Sequence, residues 1–197
     1  MPEPTEDVTY RNEDWYAEEL VERHFVRCSF FHVDLTEAIS QGAVFTECVF
    51  GNVAFNASRH TDSAFTRCTF KRCNLFEAEF TGCKLVGSSF DQCDLRPLRI
   101  SGGDWSFVAL PGADLRGVSI TDVRMREVDL TGANLTGATV TGVDLSGAQL
   151  HSSRLTGADL RGSDLTALDP VVVERAGAII DAEQAIVVAQ ALGFEIR

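Results

Sequence analysis

Large apolar residues return at every fifth position along most of this chain. Of the 30 residues whose numbers are multiples of five between Leu20 and Leu165, 28 are apolar, and no insertion or deletion disturbs the count. The two exceptions are Ser40 and His60. An amphipathic helix repeats every 3.6 residues and a strand every 2.0, so neither element explains a period of five. The pattern therefore indicates an internal repeat, a pentad with one large buried centre.

Two more positions of the pentad are restricted. Two residues before the centre, from Cys28 to Ser163, the chain has Ala, Val, Ser, Cys or Gly in 27 of 28 pentads, and Leu98 is the exception. Two residues after the centre lie 12 of the 16 glycines, which suit a turn with positive φ. A chain that turns every five residues and buries two of them forms a narrow coil. The sequence predicts an all-β solenoid whose backbone pairs with the coils above and below.

The repeat divides the chain into three parts. The first two are an N-terminal segment and the solenoid itself. Residues 1–19 hold seven acidic residues and one basic residue, which predicts a mobile acidic leader followed by an N-terminal cap. Residues 20–168 form the predicted solenoid. Within it, Pro97 removes a backbone donor and Trp105 overfills a centre, so we expect a local bend or bulge over residues 96–111.

The third part, residues 169–197, is predicted to be a helical cap and dimerisation segment. Pro170 begins one helix, and a second helix runs from the N-cap Asp181 to a point before Gly193. Apolar residues lie on more than one side of the second helix, which favours a two-fold dimer interface. Packing of the same residues inside a monomeric cap stays open as the alternative. The predicted interface residues are Ile179, Ile180, Ile186, Val187, Leu192 and Phe194.

The cysteines and histidines of the chain do not form a recognisable chemical site. All six cysteines occupy the small inward position, so they are interpreted as space-filling residues. Cys28, Cys48 and Cys68 would stack about 4.8 Å apart in a 20-residue coil, within the range of a disulfide, although a cytoplasmic setting keeps thiols reduced. No spacing matches a zinc site, a phosphate-binding loop or a nucleophile elbow. The sequence predicts no enzyme activity, no metal and no cofactor.

The charge of the chain restricts the classes of partner that it can bind. The formal net charge is −12, from 29 acidic and 17 basic residues, which argues against direct binding of nucleic acid. Apolar stretches stay short of the ~18 residues of a membrane span, and the N-terminus is acidic where a signal peptide is basic, so we expect a cytoplasmic protein. Residues 23–100 carry a net charge of +1 and residues 101–169 a net charge of −4, so the second half of the solenoid is acidic.

Short segments of the repeat resemble a known family. ADLRG, ANLTG, ADLRGSDLTA and CNLFEAEFTGCKL resemble the A(D/N)LXX pattern of pentapeptide repeat proteins, and the resemblance extends over residues 20–168. It implies a right-handed quadrilateral β-helix with four pentads in each coil. Ser40 and His60 are 20 residues apart, so such a coil would stack them inside the core, where they could hydrogen-bond each other.

A narrower resemblance concerns the mycobacterial fluoroquinolone-resistance pentapeptide repeat proteins. It rests on CDLRPL at 93–98, LDPV at 168–171 and DAEQA at 181–185. This resemblance implies a homodimer that binds DNA gyrase by mimicking DNA, inhibits it and lowers fluoroquinolone action. Together with the acidic second half, it implies a gyrase-binding surface formed by Asp94, Asp104, Asp114, Asp122, Glu127, Asp129, Asp144, Asp159 and Asp164.

Two other functions remain open from the sequence. The first is a non-enzymatic scaffold for another basic partner, such as a small GTPase, a partner with which the family is associated. The second is a flat surface that orders water, because a column of hydroxyl residues, at Thr61, Thr81, Ser101, Thr121 and Thr141, would face outward. Arg161 interrupts that column, and threonine after the centre is common in this repeat, so the interaction protein is the favoured hypothesis.

Overall fold

The computed structural model describes residues 3–197, and these residues coil into a four-sided β-solenoid that ends in one helix. The strands are short because each pentad supplies only about three extended residues before the chain turns. They are β1 (Thr5–Glu6), β2 (Thr9–Arg11), β3 (Glu19–Val21), β4 (His24–Val26), β5 (Ser29–Phe31), β6 (Ile39–Gln41), β7 (Val44–Thr46), β8 (Val49–Gly51), β9 (Arg59–Thr61), β10 (Ala64–Thr66), β11 (Thr69–Lys71), β12 (Glu79–Thr81), β13 (Ser89–Asp91), β14 (Arg99–Ser101), β15 (Ser119–Thr121) and β16 (Thr139–Thr141), followed by the helix α1 (Ala182–Ala191).

Parallel pairing between successive coils produces four faces. Face A holds the sheet β1-β4-β7-β10, face B holds β2-β5-β8-β11-β13, and face D holds β3-β6-β9-β12-β14-β15-β16. Face C is built from isolated bridges, which begin at Asp14↔Asp34. Partners are always 20 residues apart, as in Thr69↔Val49, so each coil contains four pentads. The predicted solenoid of pentads is confirmed.

The core is a stack of centre residues, all of which are buried from Leu20 to Leu165. In the first half of the solenoid the centres are mainly phenylalanines, and successive coils bring their rings into parallel stacks. The Phe45 and Phe65 ring centroids are 4.7 Å apart, and those of Phe70 and Phe90 are 4.5 Å apart. The coil spacing of parallel strands, about 4.8 Å, therefore matches the stacking distance of aromatic rings.

The two polar centres form a buried hydrogen-bonded cluster. Ser40 Oγ lies 2.7 Å from His60 Nδ1, as the 20-residue coil predicts. Ser58 Oγ donates to a backbone carbonyl, so it accepts from His60 Nε2 at 3.0 Å. Ser40 Oγ also lies 3.0 Å from Ser63 Oγ. Both ring nitrogens are thus satisfied when the imidazole is neutral, with its proton on Nε2.

The solenoid begins earlier than the sequence pattern predicted. Residues from Thr5 onward already form the first coil, since β1 pairs with β4 and β2 with β5. Tyr10 and Trp15 occupy the centre positions of this coil and pack on the core. The predicted boundary at residue 20 was therefore too late, because residues expected to form the leader and cap belong to the first coil. Met1 and Pro2 of the predicted leader lie outside the described residues.

The solenoid also ends later than predicted. The bridge Asp159↔Ile179 extends pairing beyond residue 168, and the helix expected at Pro170 is wrong, because these residues make another turn of the coil. The second predicted helix is confirmed as α1, with Asp181 as its N-cap. Gln184 closes the capping box and donates from Nε2 to the carbonyls of Leu160 (2.6 Å) and Ser163 (2.7 Å). The helix is thereby fixed onto the last coils.

The expected irregularity at residues 96–111 is confined to two corners of the coil. The Arg96–Pro97 peptide bond is cis, and Gly103 has φ 86° with no room for a Cβ beside the carbonyl of Cys83. Strand register is nevertheless kept, since β14 pairs with both β12 and β15. Trp105, the centre that follows Gly103, lies fully buried in the core.

Candidate protein-binding surface

The aspartates that directly precede the centres stabilise the turns of the coil. In each pentad the Oδ1 atom accepts the backbone N–H two residues later. Asp129 accepts from Thr131 at 2.9 Å, and Asp164 accepts from Thr166 at 2.8 Å. Asn134 makes the same bond, at 3.1 Å, so the amide replaces the carboxylate in the turn. The turn explains why Asp or Asn stands at this position, and only the charge distinguishes them.

Face A gathers five of the nine predicted acidic residues. Asp104, Asp144 and Asp164 project from the same column of this face, where bridges connect Asp104↔Arg124↔Asp144. Asp122 and Glu127 stand at the two corners that border the face, and both have positive φ. These five residues, Asp104, Asp122, Glu127, Asp144 and Asp164, are called the acidic strip below.

Two arginines neutralise part of the acidic strip. Arg124 forms an ion pair with Asp104 at 3.3 Å, and Arg126 forms one with Asp144 at 2.6 Å. Burial opposes ionisation of Asp144, but hydrogen bonds from Ser146 and Arg126 outweigh it and lower the pKa of the carboxyl. Asp104 and Asp164 also act electrostatically on Arg126 and raise its pKa, after the larger effect of Asp144.

Three carboxylates of the acidic strip keep their charge uncompensated. Within residues 3–197, Asp122, Glu127 and Asp164 form no ion pair closer than 4 Å. With five acidic residues and two arginines, the strip is clearly negative. Asp122 and Glu127 are exposed and Asp164 is half-buried. Carboxylates in such positions attract a basic surface over a distance of about 8–10 Å at moderate salt.

The other four predicted acidic residues lie on other faces. Asp94 and Asp114 are on face C, Asp129 is on face B and Asp159 is on face D. Arg116 binds Asp114 at 2.7 Å and lowers its pKa, and Arg161 does the same to Asp159 at 2.7 Å. The structure therefore divides the predicted surface between the acidic strip and four scattered carboxylates, two of which are paired.

The predicted dimer residues fall into two groups in the structure. Ile179, Ile186, Leu192 and Phe194 are exposed, and Phe194 is the most exposed of them at 65%. Ile180 instead packs against the core of the last coil, and Val187 is half-buried. The described tail therefore presents apolar side chains to solvent beyond those that close the solenoid.

The cysteines contribute to the interior and form no disulfide. All six are free thiols, and each donates to a backbone carbonyl, as Cys83 does to His60 O at 3.3 Å. Burial raises the pKa of Cys83 to about 11, so this thiol stays protonated at neutral pH. Within residues 3–197, no three His, Cys, Asp or Glu side chains are arranged to hold a metal ion. In the same range, the helix is too short to span a membrane.

One surface residue was not singled out by the sequence pattern. Phe107 stands at a corner of face A, beside the acidic strip, with φ 61° and 54% of its surface exposed. Phe107 nevertheless departs from the repeat. In this half of the solenoid, the position two residues after the centre otherwise holds glycine or a small or polar residue. A search for departures from the repeat at outward positions finds it.

A four-sided solenoid of pentads defines a class of elongated repeat proteins. Two family models match the chain, pentapeptide repeats over residues 106–137 and 129–166, with eight copies, and a pentapeptide repeat region over residues 43–120. Together they cover more than half of the sequence. The chain belongs to the pentapeptide repeat proteins.

Solved structures with the same fold include a plasmid-mediated fluoroquinolone resistance protein, QnrB1. A trypsin-treated variant of QnrB1 is 19% identical to this chain, with a TM-score of 0.86, and the match covers 99% of this chain and 100% of that one. Full-length QnrB1 is 20% identical with a TM-score of 0.51, and the match covers 98% and 100% of the two chains. No curated protein matches the sequence. The likeness to QnrB1 establishes the fold.

Proposed function

We propose that this protein is a non-enzymatic DNA mimic that binds DNA gyrase, inhibits it and lowers the action of fluoroquinolones. The observation that carries the proposal is the acidic strip on face A of a narrow rod. The shared fold with QnrB1, a fluoroquinolone resistance protein, supports it, as does the resemblance of residues 93–98 and 181–185 to the mycobacterial subgroup.

The dimensions of the rod agree with this role. Pairing from Thr5 to Ile179 at about 4.8 Å per coil gives a rod about 40 Å long. Duplex DNA of that length carries about 24 negative charges, whereas the chain has a net charge of −12. The rod has the sign of DNA at about half its charge density, so electrostatic attraction steers it to a basic surface but supplies only part of the affinity.

Association of two rods would double the length of the mimic. We propose that the exposed side chains of Ile186, Leu192 and Phe194 pair across a two-fold axis at the C-terminal end. Burial of a side chain of this size stabilises a complex by roughly 1.5–3 kcal/mol, so several together hold a dimer about 80 Å long. The acidic strips of both rods would then be available to one gyrase molecule.

A charge-neutral variant that keeps the turns tests the proposal. Asp144→Asn and Asp164→Asn together remove two charges from the acidic strip, while each asparagine keeps the Oδ1 acceptor, as Asn134 does. Asp34→Asn is the matched control, because Asp34 makes the same turn bond, to Thr36 at 2.9 Å, on face C of the other half.

The measurements are inhibition of gyrase-catalysed supercoiling and competition with a linear DNA duplex for purified gyrase. We expect the wild-type protein to inhibit and to compete more strongly at low salt. The double variant should inhibit several-fold more weakly, and the Asp34 variant should equal the wild type. Absence of gyrase binding by the wild type at low salt would overturn the proposed function. If the double variant inhibits as strongly as the Asp34 variant, the acidic strip has no part in the inhibition.

A further inference from the structure

Phe107 has a backbone conformation that large apolar residues avoid. Nineteen residues other than glycine have positive φ in the described chain, and Phe107 is the only large apolar one among them. The others are charged or polar residues and alanines, which take this conformation at lower cost or hydrogen-bond locally. The corresponding corners of the coils before and after it include Gly87, with φ 69°, and Gly147, with φ 69°.

The Phe107 side chain does not stabilise the core. It is 54% exposed and belongs to no aromatic pair of the interior, whereas its neighbour in sequence, two positions earlier, is the fully buried Trp105. The Phe107 backbone N–H donates to Arg126 O at 2.9 Å, as any residue at this corner would. The ring is therefore held outward by a well-formed turn, at the cost of backbone strain and exposed apolar surface.

Phe107 lies next to the acidic strip on face A, together with Arg124 and Arg126, the two arginines that pair with it. Asp104 lies three residues before Phe107 on the same face, and Glu127 occupies the same corner one coil later, about 4.8 Å along the rod. An exposed phenylalanine beside several carboxylates combines two kinds of contact. Charged groups bring partners together and orient them, while buried aromatic side chains hold the complex and slow its dissociation.

We propose that Phe107 is the apolar anchor of the partner-binding surface on face A. Together with the acidic strip it fits a basic protein surface that has an apolar pocket beside its lysines and arginines. This inference rests on the proposed function and deepens it, since duplex DNA offers no phenyl ring at its surface. Gyrase would therefore recognise a feature of this protein that DNA lacks. The phenyl ring supplies affinity that the acidic rod, with about half the charge density of DNA, does not provide.

Replacement of Phe107 by glycine distinguishes a binding role of its ring from a structural role. Glycine accepts φ 61° without strain and already occupies this corner at Gly87 and Gly147, so Phe107→Gly should have a melting temperature equal to or above that of the wild type. Phe107→Asn is a second variant, because Asn12 and Asn52 show that asparagine occupies such corners. An effect shared by both variants arises from loss of the ring.

The matched control removes another partly exposed phenylalanine of the solenoid. Phe76 is 42% exposed on face C, one residue after its centre, away from the acidic strip. Thr36 occupies the equivalent position two coils earlier, so Phe76→Thr fits the repeat. This variant loses a similar exposed ring without changing face A.

The test is the dissociation constant for purified gyrase at about 50 and about 200 mM salt. An anchor predicts that Phe107→Gly and Phe107→Asn bind at least about tenfold more weakly at both salt concentrations, with unchanged salt dependence. Phe76→Thr should bind as the wild type does, and the Asp144/Asp164 variant described above should instead reduce the salt dependence.

The two proposals fail in different ways. If the wild type binds gyrase and the Phe107 variants bind equally well, the anchor is refuted while the acidic mimic stands. If Phe76→Thr weakens binding as much as Phe107→Gly, loss of any exposed ring is sufficient and the anchor is also refuted. If the wild type does not bind gyrase at either salt concentration, the proposed function fails and the anchor fails with it.

Discussion

Replacement of His60 by phenylalanine should change how the stability of the solenoid depends on pH. His60 occupies a centre position, and its ring lies parallel to that of Phe80 with centroids 4.6 Å apart, so a phenyl ring fits the same stack. Ser58 keeps its hydrogen bond to a backbone carbonyl, and Ser40 keeps Ser63 as a partner at 3.0 Å. His60→Phe therefore removes the titrating group and leaves both hydroxyls hydrogen-bonded.

The magnitude follows from the burial of His60. Burial lowers the pKa of His60 from 6.5 to about 3 in the folded protein. In the unfolded chain the imidazole takes up a proton as the pH falls through about 6.5, while the folded protein stays neutral, so acidification favours unfolding. Linkage gives a loss of about 2 kcal/mol in the free energy of unfolding at about pH 5, and the loss continues to grow until about pH 3.

The assay is urea unfolding of both proteins, followed by circular dichroism, at about pH 7.5 and about pH 5. The free energy of unfolding of the wild type should fall by about 2 kcal/mol more than that of His60→Phe between these conditions. Carboxylates that titrate in this range contribute equally to the two proteins and cancel in the comparison. Equal changes in both proteins would refute the reasoning, because His60 would then be protonated in the folded state or accessible to water.

Three further variants test the corner, the cap and the dimer. Gly103→Ala brings a Cβ against the carbonyl of Cys83 at a positive φ, so it should lower the free energy of unfolding by about 2 kcal/mol or more in urea titrations. Gln184→Ala opens the capping box and should reduce stability by about 1–2 kcal/mol, with loss of far-ultraviolet helix signal. Ile186→Asp should halve the mass measured by light scattering without unfolding, whereas Val21→Asp, exposed at the opposite end, should not change the mass. A wild-type monomer would contradict the proposed dimer.

The period of five was sufficient to predict the interior of this protein. Each pentad buries its centre and its small residue whatever the neighbouring sequence. With the four-pentad coil that the family resemblance implies, Ser40 and His60 could also be placed next to each other in successive coils. The C-terminal boundary could not be predicted in this way. Asp169 and Pro170 are favourable residues for a helix start, yet the chain there continues to pair with the preceding coil, and that pairing outweighs local preference.

The charge distribution was predictable only in part. A 20-residue coil places Arg124 beside Asp104, and their ion pair follows from that register. Arg126 instead reaches Asp144, 18 residues later, because its long side chain crosses to the next column. Such diagonal contacts depend on side-chain rotamers, which the repeat does not determine. The set of uncompensated carboxylates therefore emerges only from the structure.

The acidic character of this rod is largely a consequence of how it folds. An aspartate before the centre binds the turn that follows, so a long solenoid acquires rows of carboxylates whether or not it has a basic partner. Asparagine would serve the same turn, as Asn134 does, and charge alone cannot distinguish one partner from another with similar basic surfaces. Specificity must then arise where the chain departs from its repeat at outward positions. Phe107 is such a departure, because its ring lies outside the core and is 54% exposed.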